Sequence, residues 1–503
     1  MLLRPDGTAL LFVHALIRGG AYASLLQPRR RNLHARAATY YSGRDPVLYA
    51  KHLDHAADPR APIAYLAAAD EQVRAYRHET ARALLERGLT LAAASHDRFG
   101  LACRLGDVLH ELGTPDEAAV AYGQALDSAG DDAQRCRAQV GLAGCMRMLD
   151  RYEDAFAHLD QVQAIAIRDR HELLLARVHH LRGNLRFPLD EIAACRAEHA
   201  HALRHAKRAG STELEARALG GLADAEYMRG RMRSACRRFR RCVELARSRG
   251  LVRIEVANLP MVGHCLIYSC AFDDALEAGR AGLDLAAMVG HLRAEIIIQN
   301  LIADVGQCRG DVDTIEGAVA RSLPLARRLG ARRFEAHALQ HRAEALRLRG
   351  RREEAEILLT KALAMCRESG FHFVGPWALA QLAKTTRDPA RRVAALAECE
   401  AELARGSVGH NHLWAHRNCI EASLEVEAWG EAERYAQALE DYTRAEPLAW
   451  SDIWIGWARA LAAWGRGTRK PDARARLVAV RDRAAELGMD AAVHGLDQAL
   501  ARS

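Results

Sequence analysis

No C-x-x-C pair occurs among the 12 cysteines of this 503-residue sequence. The closest spacings are Cys236/Cys242 and Cys265/Cys270. No disulfide framework is expected. Most cysteines fall inside helical apolar patterns (Cys145, Cys242, Cys366), where a free thiol acts as a small hydrophobe, so a reducing compartment is expected. No apolar run reaches the ~18 residues of a membrane span. Thr8–Ile17 is apolar, but Arg4-Pro5-Asp6-Gly7 reads as a turn, His14 interrupts the run and no small-residue cleavage site follows, so no signal peptide is expected and the cytoplasm is the expected location. There is no G-x-x-x-x-G-K-[ST] loop to cradle nucleotide phosphates, no G-x-S-x-G and no H-E-x-x-H. Sustained strand alternation is absent after residue 20. Formal charge is only +7 over the chain, and arginine far outnumbers lysine, so charge alone calls for neither nucleic acid nor membrane.

What is present is a repeat. Glycines fall at Gly210, Gly250, Gly290, Gly330 and Gly370, 40 apart, and a second set falls midway at Gly230, Gly310 and Gly350, with Cys270 in the remaining slot. Glycine accepts the left-handed conformation that ends a helix. A stop about every 20 residues predicts helices of roughly 16 residues joined by tight turns. Seven positions before each midway turn stand Gly106, Ala143, Gly183, Ala223, Gly263, Ala303 and Ala343. Five after it stand Ala118, Ala155, Ala235, Ala275 and Ala355, with Ile315 breaking the column. Four before each terminal glycine stand Ala206, Ala246, Ala286, Ala326 and then Cys366. Small side chains let helices approach closely. Apolar spacing over Leu101–Leu112 and Ile357–Met365 fits a 3.6 period, and Thr114-Pro115-Asp116-Glu117 carries the capping pattern of a helix start.

These columns resemble the tetratricopeptide repeat, with a period of 40 rather than the usual ~34, as in arrays attached to large bacterial signalling ATPases. The fold expected is all-α: a helix-hairpin solenoid whose concave inner face takes peptides or protein segments. At the N-terminus, Ala9–Phe12 is expected to be a short strand. It leads into Phe12-Val13-His14-Ala15-Leu16-Ile17-Arg18, Ala21-Tyr22, Leu25-Leu26, Arg29-Arg30-Arg31 and Leu33-His34, then Arg44-Asp45-Pro46 and Ala50-x-His52. Over residues 8–60 this resembles the winged-helix module that closes STAND-type signalling ATPases. The resemblance makes His14 a nucleotide-proximal candidate when an ATPase is supplied; packing or capping is the plainer role.

All seven tryptophans (Trp377, Trp414, Trp429, Trp450, Trp454, Trp457, Trp464) lie in the last third. The phrase Gly409-His410-Asn411-His412-Leu413-Trp414, Arg417, Ile420-Glu421-Ala422-Ser423-Leu424, continuing through Trp429, Glu433-Arg434-Tyr435-Ala436, Glu446-Pro447-Leu448, Trp450-Ser451-Asp452 and Arg459-Ala460-Leu461-Ala462, resembles the tail of bacterial proteins that join a class III adenylate/guanylate cyclase, a signalling ATPase and a repeat array. Position 412 departs from the aromatic residue expected there. No pair of metal-binding aspartates stands in a strand-rich setting, so cyclase activity does not carry over. The resemblance implies the C-terminal part of a larger architecture: a truncated gene, a split gene or a stand-alone descendant.

Three local clusters call for weighing. His410, His412, His416, Cys419 and Glu421 are metal-type ligands, but they sit at a helix start where His and Asn cap. His201 and His205, with Glu198 and His199 nearby, read as a solvated face. The arginines of Arg231–Arg241 read as a solvated outer helix whose stems cover apolar surface, rather than a nucleic-acid grip. The domains expected are 1–60, a winged-helix-like remnant; 61–370, the repeat array; and 371–503, Trp-rich helical repeats and cap. The function expected is a non-catalytic protein-interaction or signal-sensing scaffold. Its expected partners are a protein or peptide on the concave face and an NTPase or cyclase chain; no cofactor, metal, membrane or nucleic acid is expected. Two alternatives are a small-molecule sensor with a Trp-lined pocket and a subunit of a split cyclase. The ligand candidates are Trp414, Arg417, Trp450, Trp454 and Trp457, although tryptophans at a solenoid end more often fill its cap.

Overall fold

The computed structural model describes residues 3–6, 9–12, 14–189, 191–466 and 471–501. It opens with an antiparallel hairpin of β1 (Leu3–Asp6) and β2 (Ala9–Phe12), paired Leu3 to Phe12. The strand expected at Ala9–Phe12 is there. Of Arg4-Pro5-Asp6-Gly7, expected in a turn, the first three instead form its partner strand, and Gly7 lies outside the described residues. Helices follow without further strands among the described residues.

The first helices are α1 (Ala15–Ala23), α2 (Gln27–Tyr41), α3 (Pro46–His55), α4 (Ala61–Arg74), α5 (His78–Leu91), α6 (Ser95–Leu112), α7 (Pro115–Asp127), α8 (Asp132–Met148), α9 (Tyr152–Arg168) and α10 (Glu172–Arg186). Next come α11 (Ile192–Arg208), α12 (Thr212–Met228), α13 (Met232–Ser248), α14 (Val252–Ile267), α15 (Phe272–Val289), α16 (Leu292–Arg309), α17 (Val312–Arg328), α18 (Arg332–Leu348) and α19 (Arg352–Ser369). The last are α20 (Gly375–Thr385), α21 (Pro389–Arg405), α22 (Gly409–Glu425), α23 (Trp429–Thr443), α24 (Ala449–Gly465), α25 (Pro471–Glu486) and α26 (Asp490–Ala501). From α4 onward, even-numbered A helices alternate with odd-numbered B helices. The chain divides into two compact units, Met1–Leu181 and Arg182–Ser503.

The register explains the hairpins. Gly230, Gly310 and Gly350 take φ of 71°, 68° and 80°, and Cys270 takes 58° in the slot it was expected to fill. The small columns are core: Ala118, Ala155, Ala235, Ala275 and Ala355 are fully buried. Ile315 is accommodated because Gly306 lies beside it; a β-carbon on Gly306 would meet Ile315 Cγ1 at 2.9 Å. One cap differs from expectation. The Thr114 hydroxyl turns back to donate to Leu109 O at 3.2 Å and does not cap α7, which starts on Pro115 instead.

Within the second unit, later helices pack against the ends of earlier ones. A β-carbon on Gly409 would lie 2.3 Å from Tyr227 O and 2.5 Å from Gly230 N, so two backbones touch there. Trp450 N–H donates to Tyr268 O at 3.4 Å. Ser234 N–H donates to Glu446 Oε2 at 3.2 Å, and Arg233 N–H to the same oxygen at 2.9 Å. Gly310 faces Ala491. Such partners lie roughly 180 to 210 residues apart, or about four and a half to five repeats, so the second unit closes on itself after one turn of hairpins along a seam.

Candidate functional site in the interior of the second unit

Counting six residues back from each midway turn gives Asp224, His264, Asp304 and Glu344. One repeat further on stands Lys384, and then Glu421. Each of the first four is the A-helix neighbour of a small-residue column position, and together they line the face that the A helices turn toward one another. His341 Nε2 lies 2.9 Å from Asp304 Oδ1, and His264 Nδ1 lies 3.4 Å from Asp304 Oδ2. Lys384 Nζ donates to Glu344 Oε1 at 3.0 Å and to Glu421 Oε2 at 2.8 Å. Arg347 reaches Glu344 with two hydrogen bonds of 2.9 and 3.0 Å. Gln381 donates to Glu344 Oε2 at 3.0 Å. A buried charge is tolerated only when paired in this way.

The electrostatics follow from burial and pairing. Burial raises the Asp304 carboxyl, but the imidazoles of His264 and His341 set against its two oxygens outweigh it and hold the group well below the usual carboxylate range. Burial likewise opposes ionisation of Glu344, and Arg347 and Lys384 overcome it. Asp224 has no such partner: burial pushes it up to about 7, with Arg293 opposing. Burial and His341 drive His337 well below its ordinary value.

The sequence-expected site residues converge here. Arg417 lies 4.9 Å from the Trp414 ring and 4.2 Å from the Trp454 ring, a cation held between two aromatic faces. Trp414 Nε1 donates to Tyr268 Oη at 3.1 Å, and Trp450 Nε1 to Cys308 Sγ at 3.4 Å. Trp454 and Trp457 stack on with centroids 5.5 Å apart. All five lie in the core, Trp457 nearest its edge. Several interior polar atoms lack a hydrogen-bond partner, among them Arg417 Nη1, Asn418 Nδ2, Gln299 Oε1 and Trp454 Nε1. Native interiors leave few such groups.

Other candidates are placed elsewhere. His14 is exposed and caps α1, its Nδ1 accepting the Leu16 N–H at 3.2 Å. His410 sits 2.7 Å from Phe373 O, and His412 stacks on Tyr442 at 4.4 Å, so an imidazole occupies the aromatic place at 412. Among the described residues, the grouping whose donor atoms all lie within 4.8 Å of one another is Asp304, His337 and His341, not the His410–Glu421 cluster. His199 is buried, unlike the solvated face expected; its ring fills the space left by Gly183 and Gly221, while His201 stays exposed. On α13, Arg233, Arg237, Arg240 and Arg241 are exposed and Phe239 is fully buried. The column carrying Asp224 to Glu344 was readable in the sequence, one position after the small residues.

No curated protein matches the chain. Among solved structures, a signal transduction ATPase with numerous domains and a tetratricopeptide repeat sensor, from Pyrococcus horikoshii, is 13% identical with a TM-score of 0.48, over 76% of this chain and 58% of that one. The apo quorum sensor NprR from B. thuringiensis is 13% identical, TM-score 0.48, over 69% of this chain and 97% of that one. A Rap protein complexed with competence and sporulation factor is 14% identical, TM-score 0.33, over 88% and 97%. The chain thus spans little more than half the length of the first of these structures. No helix among the described residues is long and apolar enough to cross a membrane. A family model described as tetratrico peptide repeat matches residues 96–180, and the array is a tetratricopeptide-like solenoid of helical hairpins.

Proposed function

We propose that the chain is a non-catalytic sensing and protein-binding scaffold that regulates an NTPase module of the signalling type, supplied by the same or another polypeptide. One observation carries the reading. Exposed large apolar side chains crowd the first helices: Leu16 is 78% exposed, Leu26 79% and Tyr40 60%, with Tyr22 and Leu33 also exposed. Such a patch marks a surface that a partner covers. It lies in the segment that resembles the winged helix of an ATPase, which names the occupant. The test is a photo-crosslinking residue placed at Leu26 in the full chain in its native cell, with Ile167 on the outer face of α9 as control. The expected result is a protein bearing a G-x-x-x-x-G-K-[ST] loop, captured at Leu26 and not at Ile167. Capture of the same proteins at both positions, or none at Leu26, overturns the reading.

A second reading concerns the protein or peptide partner expected along the inner face. In the second unit that face is filled by the chain's own side chains. In the first unit it remains half-open, where Arg104 pairs with Asp70 at 2.7 Å and Arg137 with Asp107 at 3.2 Å. Val140 and Arg147 are half-buried on α8, the A helix that carries Arg137. An extended segment with alternating charges fits this ladder. A crosslinker at Val140 is expected to capture such a partner, and charge reversal at Arg104 to abolish the capture.

A further inference from the structure

We propose that His264, Asp304, His337 and His341 form a site for one divalent transition-metal ion, zinc by ligand type, inside the second unit. Three consecutive A helices supply it: α14 gives His264, α16 gives Asp304, and α18 gives His337 and His341, four residues apart and so on one helix face. Three imidazoles and one carboxylate are a zinc donor set.

The geometry argues for a cation at this point. His264 Nε2 lies 3.2 Å from the Ile297 carbonyl oxygen. A carbonyl only accepts, so that nitrogen carries the ring's hydrogen. In the neutral imidazole the other nitrogen, Nδ1, is then a lone pair, yet it faces Asp304 Oδ2 at 3.4 Å. Two acceptors face each other, and a cation between them resolves the conflict. An outer hydrogen bond from a ring N–H to a backbone carbonyl is also how metal-binding histidines are oriented.

His337 supplies independent evidence. It is 5% exposed, and neither ring nitrogen has a hydrogen-bond partner. A buried imidazole in that state forfeits its polar interactions. Its ring centroid stands 4.3 Å from that of His341. It also packs against the rings of Trp377 and Phe373, which offer no nitrogen or oxygen acceptor. Donor atoms of Asp304, His337 and His341 lie within 4.8 Å of one another. Zinc with bonds of ~2.0–2.1 Å needs adjacent donors about 3.3 Å apart, so these three side chains, with His264 Nδ1 already 3.4 Å from Asp304 Oδ2, draw inward on the ion when it binds. The rival occupant is a proton: His264 as an imidazolium paired with Asp304, leaving His337 idle.

The site is buried, so metal is offered both to the native full chain and during refolding from denaturant, after chelator treatment. The probe is Co(II), then Zn(II) in competition. The expected result is one cobalt per chain with the visible d–d bands of a tetrahedral ion and no thiolate-to-cobalt charge transfer. That last feature separates the site from the cysteines. Zinc displaces the cobalt. His337→Gln and Asp304→Asn each weaken binding by more than the roughly 10–100-fold that loss of an outer-shell partner costs, while His416→Gln, a half-buried histidine outside the site, leaves it unchanged. X-ray absorption on the wild-type zinc form is expected to show imidazole and oxygen ligands only, a readout that needs no variant to fold. The absence of tetrahedral bands under both loading conditions, sulfur ligation, or unchanged affinity in His337→Gln overturns the proposal and leaves the proton as the occupant.

Discussion

His199 stands where the neighbouring B helices carry Leu159 and Phe239, 40 residues away on either side, and like them it is buried. Burial pulls its pKa down to about 4, against an unfolded value near 6.5. Folding therefore requires the neutral ring. Its contribution is intact above pH 6.5 and is lost as pH falls from there toward 4. His199→Leu is expected to flatten the loss of stability between pH 6.5 and 5, measured by denaturant unfolding at each pH. Asp224 acts in the opposite direction. Its pKa of about 7 lies above the unfolded value of 3.8, so the folded state holds a proton that the unfolded chain releases. Stability falls as pH rises from about 4 to 7 and stays low above that. Asp224→Asn is expected to raise stability at pH 8 by about 2 kcal/mol, discounted for the solvent the carboxyl retains, and to change little at pH 4. Equal changes of one sign at both pH values contradict this assignment. Both residues were legible in principle. The 40-residue register places His199 in an apolar core column, but His201 and His205 four apart drew attention to the exposed face. The register also aligns Asp224, His264, Asp304 and Glu344, which the preceding small-residue column concealed.

At the scale of elements, the turns were the most readable feature. A left-handed residue follows the A helices at Gly230, Cys270, Gly310 and Gly350, and the period alone located Cys270 in that role without a glycine. Pairings distant in sequence were not readable. Hydrophobic period and capping report on neighbours within a turn of helix, whereas Gly409 owes its identity to Tyr227 and Gly230. Its φ is not in the left-handed region, so only the close backbone approach requires glycine there. Gly409→Ala forces the seam apart and is expected to destabilise the second unit by about 2 kcal/mol or more, read as a lower unfolding midpoint. Gly430→Ala, whose β-carbon would meet nothing closer than 4.0 Å, is the matched control and is expected to be near neutral. Equal effects of the two substitutions contradict the seam. The start of β1 was misread for a related reason: Pro5 suits a turn, but it also suits an edge strand, where no ladder N–H is needed.

At the scale of the whole molecule, the fold class and the repeat unit were evident from spacing, while the closure of the second unit was not. Closure depends on how many hairpins complete one turn, a quantity set by small rotations per repeat that no sequence column records. It also changes what the Trp-rich segment does. Trp414 and Trp450 are joined to Tyr268 and Cys308 across the seam, so they serve as the core that shuts the unit. The same closure removes the inner face of that unit from solvent and leaves the first unit's ladder as the accessible surface.

The central claim is that closure, and pulsed alkylation of thiols in the native full chain, resolved by mass spectrometry, tests it most directly. Cys265 and Cys308 lie on the A helices that meet the seam, both buried, with Cys308 beneath the Trp450 indole. Burial pushes the Cys308 thiol up to about 11 and Cys265 well above its ordinary value, which suppresses the reactive thiolate. Both are expected to stay unmodified in native buffer, to react on unfolding, and to become labelled in Gly409→Ala under conditions where the wild-type chain is protected. Labelling of Cys265 and Cys308 in the native wild-type chain at the rate of the unfolded chain would mean that the second unit is open, and would contradict the account.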